Sequence, residues 1–86
     1  VISRMPLSID DRIEILEIEV AERSLATQQA LASLALPRQC LIGAVIRESY
    51  VVVPGAGYRF APGDTVVALV ETDAIDQTVG MFSNNG

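Results

Sequence analysis

Cys40-Leu41-Ile42-Gly43-Ala44-Val45-Ile46 is an almost unbroken apolar run. At that length, with polar and proline-bearing flanks, it reads as a strand buried on both faces. Arg47-Glu48-Ser49 interrupts it, and Tyr50-Val51-Val52-Val53 follows as a second β-rich run, so the two form a hairpin. Pro54 ends the second arm because it has no amide to give a ladder. Gly55-Ala56-Gly57 has the look of a phosphate loop, but a dinucleotide fingerprint needs a third glycine where Phe60 stands, so a plain turn is expected. Pro62-Gly63 has the residue order of a type II turn and launches Thr65 to Val70 as the next strand. Asp64 is expected to satisfy backbone donors of that turn.

Upstream, Ile13, Ile15, Leu16, Ile18 and Val20 alternate with Glu14, Glu17 and Glu19, but the phase slips between Ile15 and Leu16. Either a bulge sits near Ile15, or something covers the second face, which in so small a domain could be a partner subunit. The Glu stripe reads as a solvated face, with a cation site as the sharper alternative. Ser24 can cap a short amphipathic helix carrying Thr27, Ala30, Leu31 and Leu34, which Pro37 stops. Thr72 or Asp73 can cap a second helix whose buried stripe is Ile75, Val79 and Phe82. The expected core includes Leu31, Leu34, Ile42, Ala44, Val67, Leu69 and Phe82. The fold class is α+β: a small, partly antiparallel sheet with two helices in the order β-α-β-β-β-α. Residues 1–11 read as a linker from an upstream domain, 12–82 as the folded domain and 83–86 as a disordered tail.

The chain has 86 residues, room for one core only, and opens on Val1, which reads as a piece of a longer polypeptide. Six basic residues, all Arg, face 11 acidic ones, for a net charge of −5. Scattered Arg without any Lys disfavours nucleic acid, whose binding needs several phosphates neutralised together. A single anionic ligand stays open, since one Arg can hold a phosphate bidentately. Without His there is no Ser-His or Cys-His pair and no common metal ligand, so no catalytic or metal residues are assigned. Cys40 is the only cysteine, which forbids an intrachain disulfide and suits a reducing cytosol. No apolar run approaches the roughly 20 residues that cross a bilayer.

Five stretches in register resemble one family. They are Glu14-Ile15-Leu16-Glu17-Ile18-Glu19-Val20, Leu31-x-x-Leu34-x-Leu36-Pro37-Arg38, Leu41-Ile42-Gly43-Ala44-Val45-Ile46-Arg47, Val51-Val52-Val53-Pro54 and Pro62-Gly63-Asp64-Thr65-Val66. The chain is similar to the RCK C-terminal domain, also called TrkA-C, of prokaryotic potassium uptake regulators and several ion transporters. The resemblance implies a non-enzymatic, cytoplasmic regulatory lobe that follows a Rossmann nucleotide-binding domain and forms a homodimer. It also implies a membrane potassium transporter or channel subunit as partner, which would hold the lobe at the inner face of the cell membrane. In some members the paired lobes bind cyclic di-AMP, which points here to Arg38, Cys40, Leu41 and Pro54 as ligand-binding residues. Cys40 stands where a better hydrogen-bonding residue would be expected, and Gln28-Gln29 replaces a frequent Gly-Lys pair. Two alternatives stay open: a purely structural dimerisation module without ligand, and an Arg38 that pairs with a carboxylate such as Glu14 or Glu17.

Overall fold

The computed structural model describes residues 2–7 and 10–84. Five strands, β1 (Ile2–Leu7), β2 (Asp10–Glu19), β3 (Cys40–Arg47), β4 (Tyr50–Val52) and β5 (Thr65–Glu71), form one sheet in the order β1-β2-β5-β3-β4. Helix α1 (Ile75–Phe82) follows a single 3-10 turn at Thr72–Ala74. All four neighbouring pairs are antiparallel. The expected partly antiparallel sheet is thereby corrected: β2 and β3 run the same way, but β5 is inserted between them, so no parallel neighbours arise.

The segment expected as a linker instead contributes β1, and Asp10 and Asp11 belong to β2. Pro6 and Arg4 hide this strand from a reading by alternation. An edge strand tolerates proline because one side of it makes no ladder, and Arg4 holds Glu14 of β2 through two hydrogen bonds of 2.8 and 2.7 Å.

The first expected helix is also corrected. Residues 24–34 form two separate 3-10 turns, Leu25–Thr27 and Leu31–Ser33. Ser24 does not cap; its hydroxyl donates back to the Ala21 carbonyl at 2.9 Å. The amides of Leu31 and Ala32 donate to the carbonyls of Tyr58 and Ala56 at 2.8 and 2.9 Å, so the 55–58 loop takes donors that a helix would have used internally. At the other end of the chain, α1 has no side-chain cap, whereas the expected Ile75 and Phe82 are buried in its packed face together with Thr78. Of the tail expected at 83–86, Ser83 is tied by its hydroxyl to the Val79 carbonyl at 2.8 Å, and residues 85–86 lie outside those described.

The core lies on one face of the sheet. Leu16, Ile18 and Val20 of the β2 segment, Val66, Ala68 and Val70 of β5, and Val45 of β3 meet Ala26, Phe60, Ile75 and Phe82 there. Phe60 and Phe82 stack edge to face with centroids 5.3 Å apart. The β2–β5 ladder runs unbroken from Ile13 to Glu19, so no bulge sits near Ile15 there; register shifts lie in β3, between Ile42 and Ala44, and on the other side of β2, between Pro6 and Leu7 of β1. That bulge at Gly43 turns the later part of β3 over, moving Val45 onto the core face and Ala44 off it. Among the residues expected in the core, Phe82 is buried, while Leu31, Leu34 and Ile42 are partly buried against it. Val67, Ala44 and Leu69 occupy the opposite face, Leu69 being 36% exposed.

Two turns connect these strands as their residues require. Glu48-Ser49 closes the β3–β4 hairpin with Glu48 in the left-handed region at φ 54°. Ala61-Pro62-Gly63-Asp64 is a turn closed by the Asp64 amide on the Ala61 carbonyl at 3.1 Å, with Gly63 at φ 90°, as a type II turn demands.

Candidate functional site

The sheet face away from the core carries the unusual chemistry. Register places Met5, Ile15, Leu69 and Leu41 directly opposite one another on β1, β2, β5 and β3, a single apolar row across four strands. Met5 is 62% and Leu41 63% exposed. Ile46 and Val51 form a further opposed apolar pair at the β3–β4 edge, where Val51 is 67% exposed. Isolated exposed apolar side chains are ordinary, but a row that crosses a sheet without a covering layer marks a contact surface. The slipped phase in Ile13 to Val20 was its sequence signature: Leu16, Ile18 and Val20 serve the core, and Ile13 and Ile15 serve this second face.

Each end of the face has a hollow of its own. Above the apolar row, Arg38, Cys40 and Leu41 line a hollow of about 170 Å³ together with Ile13, Leu69 and Glu71. Three of the four residues implied by the resemblance therefore meet at one place. Pro54, beyond the end of β4, does not line this hollow. Cys40 points toward the core rather than outward, and its burial pushes the thiol above its ordinary pKa. Arg38 makes no ion pair with the described residues, since Glu14 is taken by Arg4. Below the row, Glu17, Glu19, Ser3 and Thr65 line a second hollow.

A third constellation locks the loop that packs against the first 3-10 segments. Arg47 donates to both carboxylate oxygens of Asp64 at 2.9 Å each. The Tyr58 hydroxyl and the Ala61 amide donate to Oδ2 of the same group at 3.0 and 2.9 Å. The Arg47 guanidinium also lies over the Tyr58 ring, 5.0 Å from its centroid. Burial alone would raise the Asp64 pKa, but the donors from Arg47, Ala61 and Tyr58 outweigh it and hold the carboxyl below its usual value. Tyr58 is shifted upward, first by burial and then by donating to Asp64. With its four hydrogen bonds made inside the fold, Asp64 is a structural clamp. The turn role expected from sequence is present in the Ala61 contact; the distant partner Arg47 had no local signal.

Among the described residues, no helix is long and apolar enough to cross a membrane. The chain is 28% identical over 71 residues to a Trk system potassium uptake protein TrkA homolog of Archaeoglobus fulgidus, a match that covers 83% of this chain and 16% of that relative. The chain thus spans about one sixth of the length of that relative. A family model described as the TrkA-C domain matches residues 15–83, from the apolar row on β2 to the residue after α1. With most of its length matched in order, the chain belongs to the TrkA-C domain family.

Proposed function

We propose that this domain is a cytoplasmic, non-catalytic regulatory lobe of a potassium uptake system, and that it works as a homodimer joined through the outer sheet face. The membrane potassium transporter or channel subunit is its partner, and a Rossmann nucleotide-binding domain precedes it in the parent polypeptide. Nucleic acid has no part in this reading. The observation that carries it is the Met5-Ile15-Leu69-Leu41 row, an apolar band in which Met5, Leu41 and Leu69 are exposed among the described residues. Kinship with a protein named for potassium uptake supports the transport context.

Replacing Leu69 with Lys puts a charge in the middle of the row at a site already 36% exposed, so the core is spared. Light scattering should report twice the chain mass for the wild type and a single mass for Leu69→Lys. In the parent protein, the same substitution should uncouple regulation from potassium flux, measured with rubidium as tracer. A wild type that stays single at several hundred micromolar, or a variant that pairs and regulates as before, overturns the reading.

A second element concerns sensing. The hollow at Arg38, Cys40 and Leu41 is smaller than the roughly 300–1,000 Å³ of ordinary small-molecule sites, so a cyclic dinucleotide would need the matching hollow of a second copy. The free guanidinium of Arg38 is the group that favours an anionic ligand, with Pro54 contributing only from a neighbouring copy or after rearrangement. Calorimetric titration of cyclic di-AMP should give binding that Arg38→Ala abolishes; equal affinity in the two proteins removes Arg38 from the site.

A further inference from the structure

We propose that β1 is a releasable strap: it leaves the edge of β2 as a unit while the other four strands and α1 stay folded, so that the sheet exists in a five-strand and a four-strand form. The inference concerns a single copy and does not depend on whether copies pair.

A strand is held by what its side chains bury and by its ladder. β1 has one neighbour in the sheet, β2, and Ser3, Arg4, Met5 and Pro6 are all exposed. The buried core described above runs from Leu16 to Phe82 and begins on β2. Releasing β1 therefore leaves that core closed. The strand is held by its ladder with β2 and by the Arg4–Glu14 pair, whose Arg side chain is 52% exposed. A surface pair of this kind is weak, because water competes for both groups. Ladder bonds broken at an edge are remade to water, and the released residues regain backbone freedom. The ladder is also imperfect at one end: Pro6 has no amide, and the register shifts between Pro6 and Leu7.

The strand beneath is suited to being an edge. Within Asp10–Glu19 the sequence places Asp10, Asp11, Arg12, Glu14, Glu17 and Glu19, six charges in ten residues. Charged side chains along an edge strand oppose pairing with another sheet, a protection that a strand with neighbours on both sides does not need. Taking β1 away leaves a guarded edge rather than an open template. The opposite edge differs. Tyr50–Val52 of β4 carries no charge and is tied on by its hairpin, and the loop after it accepts the amides of Leu31 and Ala32 at Tyr58 and Ala56. Of the two edge strands, β1 is thus the one that can leave alone. Its release takes Met5 out of the apolar row on the outer face, so the width of that surface depends on how β1 is held.

Residue-resolved hydrogen exchange of the full chain at low urea tests this. Along β2, successive amides point alternately to β1 and to β5. Those that donate to β1, together with the amides of β1 itself, should exchange at least about a hundredfold faster than the amides joining β2 to β5, and should share one dependence on urea because they open together. A lock supplies the control. Ser3 and Glu17 are directly opposed, at a separation that a disulfide spans. In a Cys40→Ala background, Ser3→Cys with Glu17→Cys should show the alternation when reduced and lose it when oxidised. Equal exchange of the two sets of β2 amides in the wild type overturns the strap, since the sheet then opens as one. Alternation that persists in the oxidised variant, or a fast set with unequal urea dependences, marks local fraying and overturns it as well. Both sets are compared within one sample, so a failure of the pairing reading leaves this result untouched.

Discussion

Replacing Asp64 with Asn should destabilise the domain by about 2–3 kcal/mol, because the amide keeps the shape of the carboxylate but loses its charge and one of its two acceptor oxygens. Oδ2 receives three donors, from Arg47, Tyr58 and Ala61, and Oδ1 receives one, from Arg47. Placed with its oxygen at Oδ2, Asn keeps three contacts but faces the Arg47 Nε with an N–H, donor against donor. Placed the other way, it abandons three donors to keep one. The better orientation still loses one charge-assisted bond of about 1.5–3 kcal/mol and weakens the rest. Because Asp64 is only 2% exposed, water does not fill in for the missing acceptor. Urea unfolding at fixed protein concentration and pH 7 reads the loss as a fall in midpoint with the slope unchanged. The pH dependence adds a check of sign. A carboxyl whose folded pKa is depressed contributes stability that is fully present above its unfolded value, near 3.9, and lost as pH falls through the folded value. The gap between wild type and Asp64→Asn should therefore be constant from about pH 5 to 7 and shrink below about pH 4. A gap under ~1 kcal/mol at pH 7, or one that does not narrow in acid, refutes the clamp as an ionic one.

Other outcomes follow from single residues. Phe82→Ala should cost about 3–5 kcal/mol by denaturant unfolding, since the ring is fully buried and stacked on Phe60. Glu48→Gly should raise the melting temperature, because glycine removes a left-handed penalty of about 1–2 kcal/mol and loses roughly 0.5–1 kcal/mol through the freer unfolded chain; an unchanged or lower value counts against the φ of 54°. Cys40 should react with an aromatic disulfide reagent at pH 7.5 more slowly than free cysteine, as burial raises its thiol pKa, and denaturant should abolish the difference.

The parts of the fold that were legible in the sequence are those fixed by nearby residues. The strand at Cys40–Ile46, the Arg47-Glu48-Ser49 break, the Pro62-Gly63 turn and the stripe of α1 each announce themselves within a few positions, but the expected burial of that strand on both faces is corrected, because Leu41 on its outer face is exposed. What escaped depends on partners far along the chain. The donors of Leu31 and Ala32 look helical until the carbonyls of Ala56 and Tyr58 are seen to accept them. β1 has too little alternation to read as a strand and is held by pairing with β2. Leu69 and Val67 looked like core because an apolar run hides which face each residue takes; only the register with Ile15 and Glu17 separates them. At the candidate site, Arg38 and Leu41 were reached through resemblance and line one hollow, and the Glu stripe read as a solvated face has Glu17 and Glu19 exposed.

The placement of the two ends of the fold has a consequence for how the lobe can be attached. Ile2 lies opposite Ile18 on β2, and the carbonyl of Phe82, the last residue of α1, accepts from the Ala21 amide at 2.9 Å. Three residues of extended chain, about 10 Å, separate those two anchor points. Chain arriving at β1 and chain leaving α1 thus pass through one corner of the domain, as the two leads of a plug-in component share a socket. It also means that joining the two ends with a short Gly-Ser bridge and opening the chain at the exposed Glu48-Ser49 hairpin should give a circularly permuted lobe with the same sheet order.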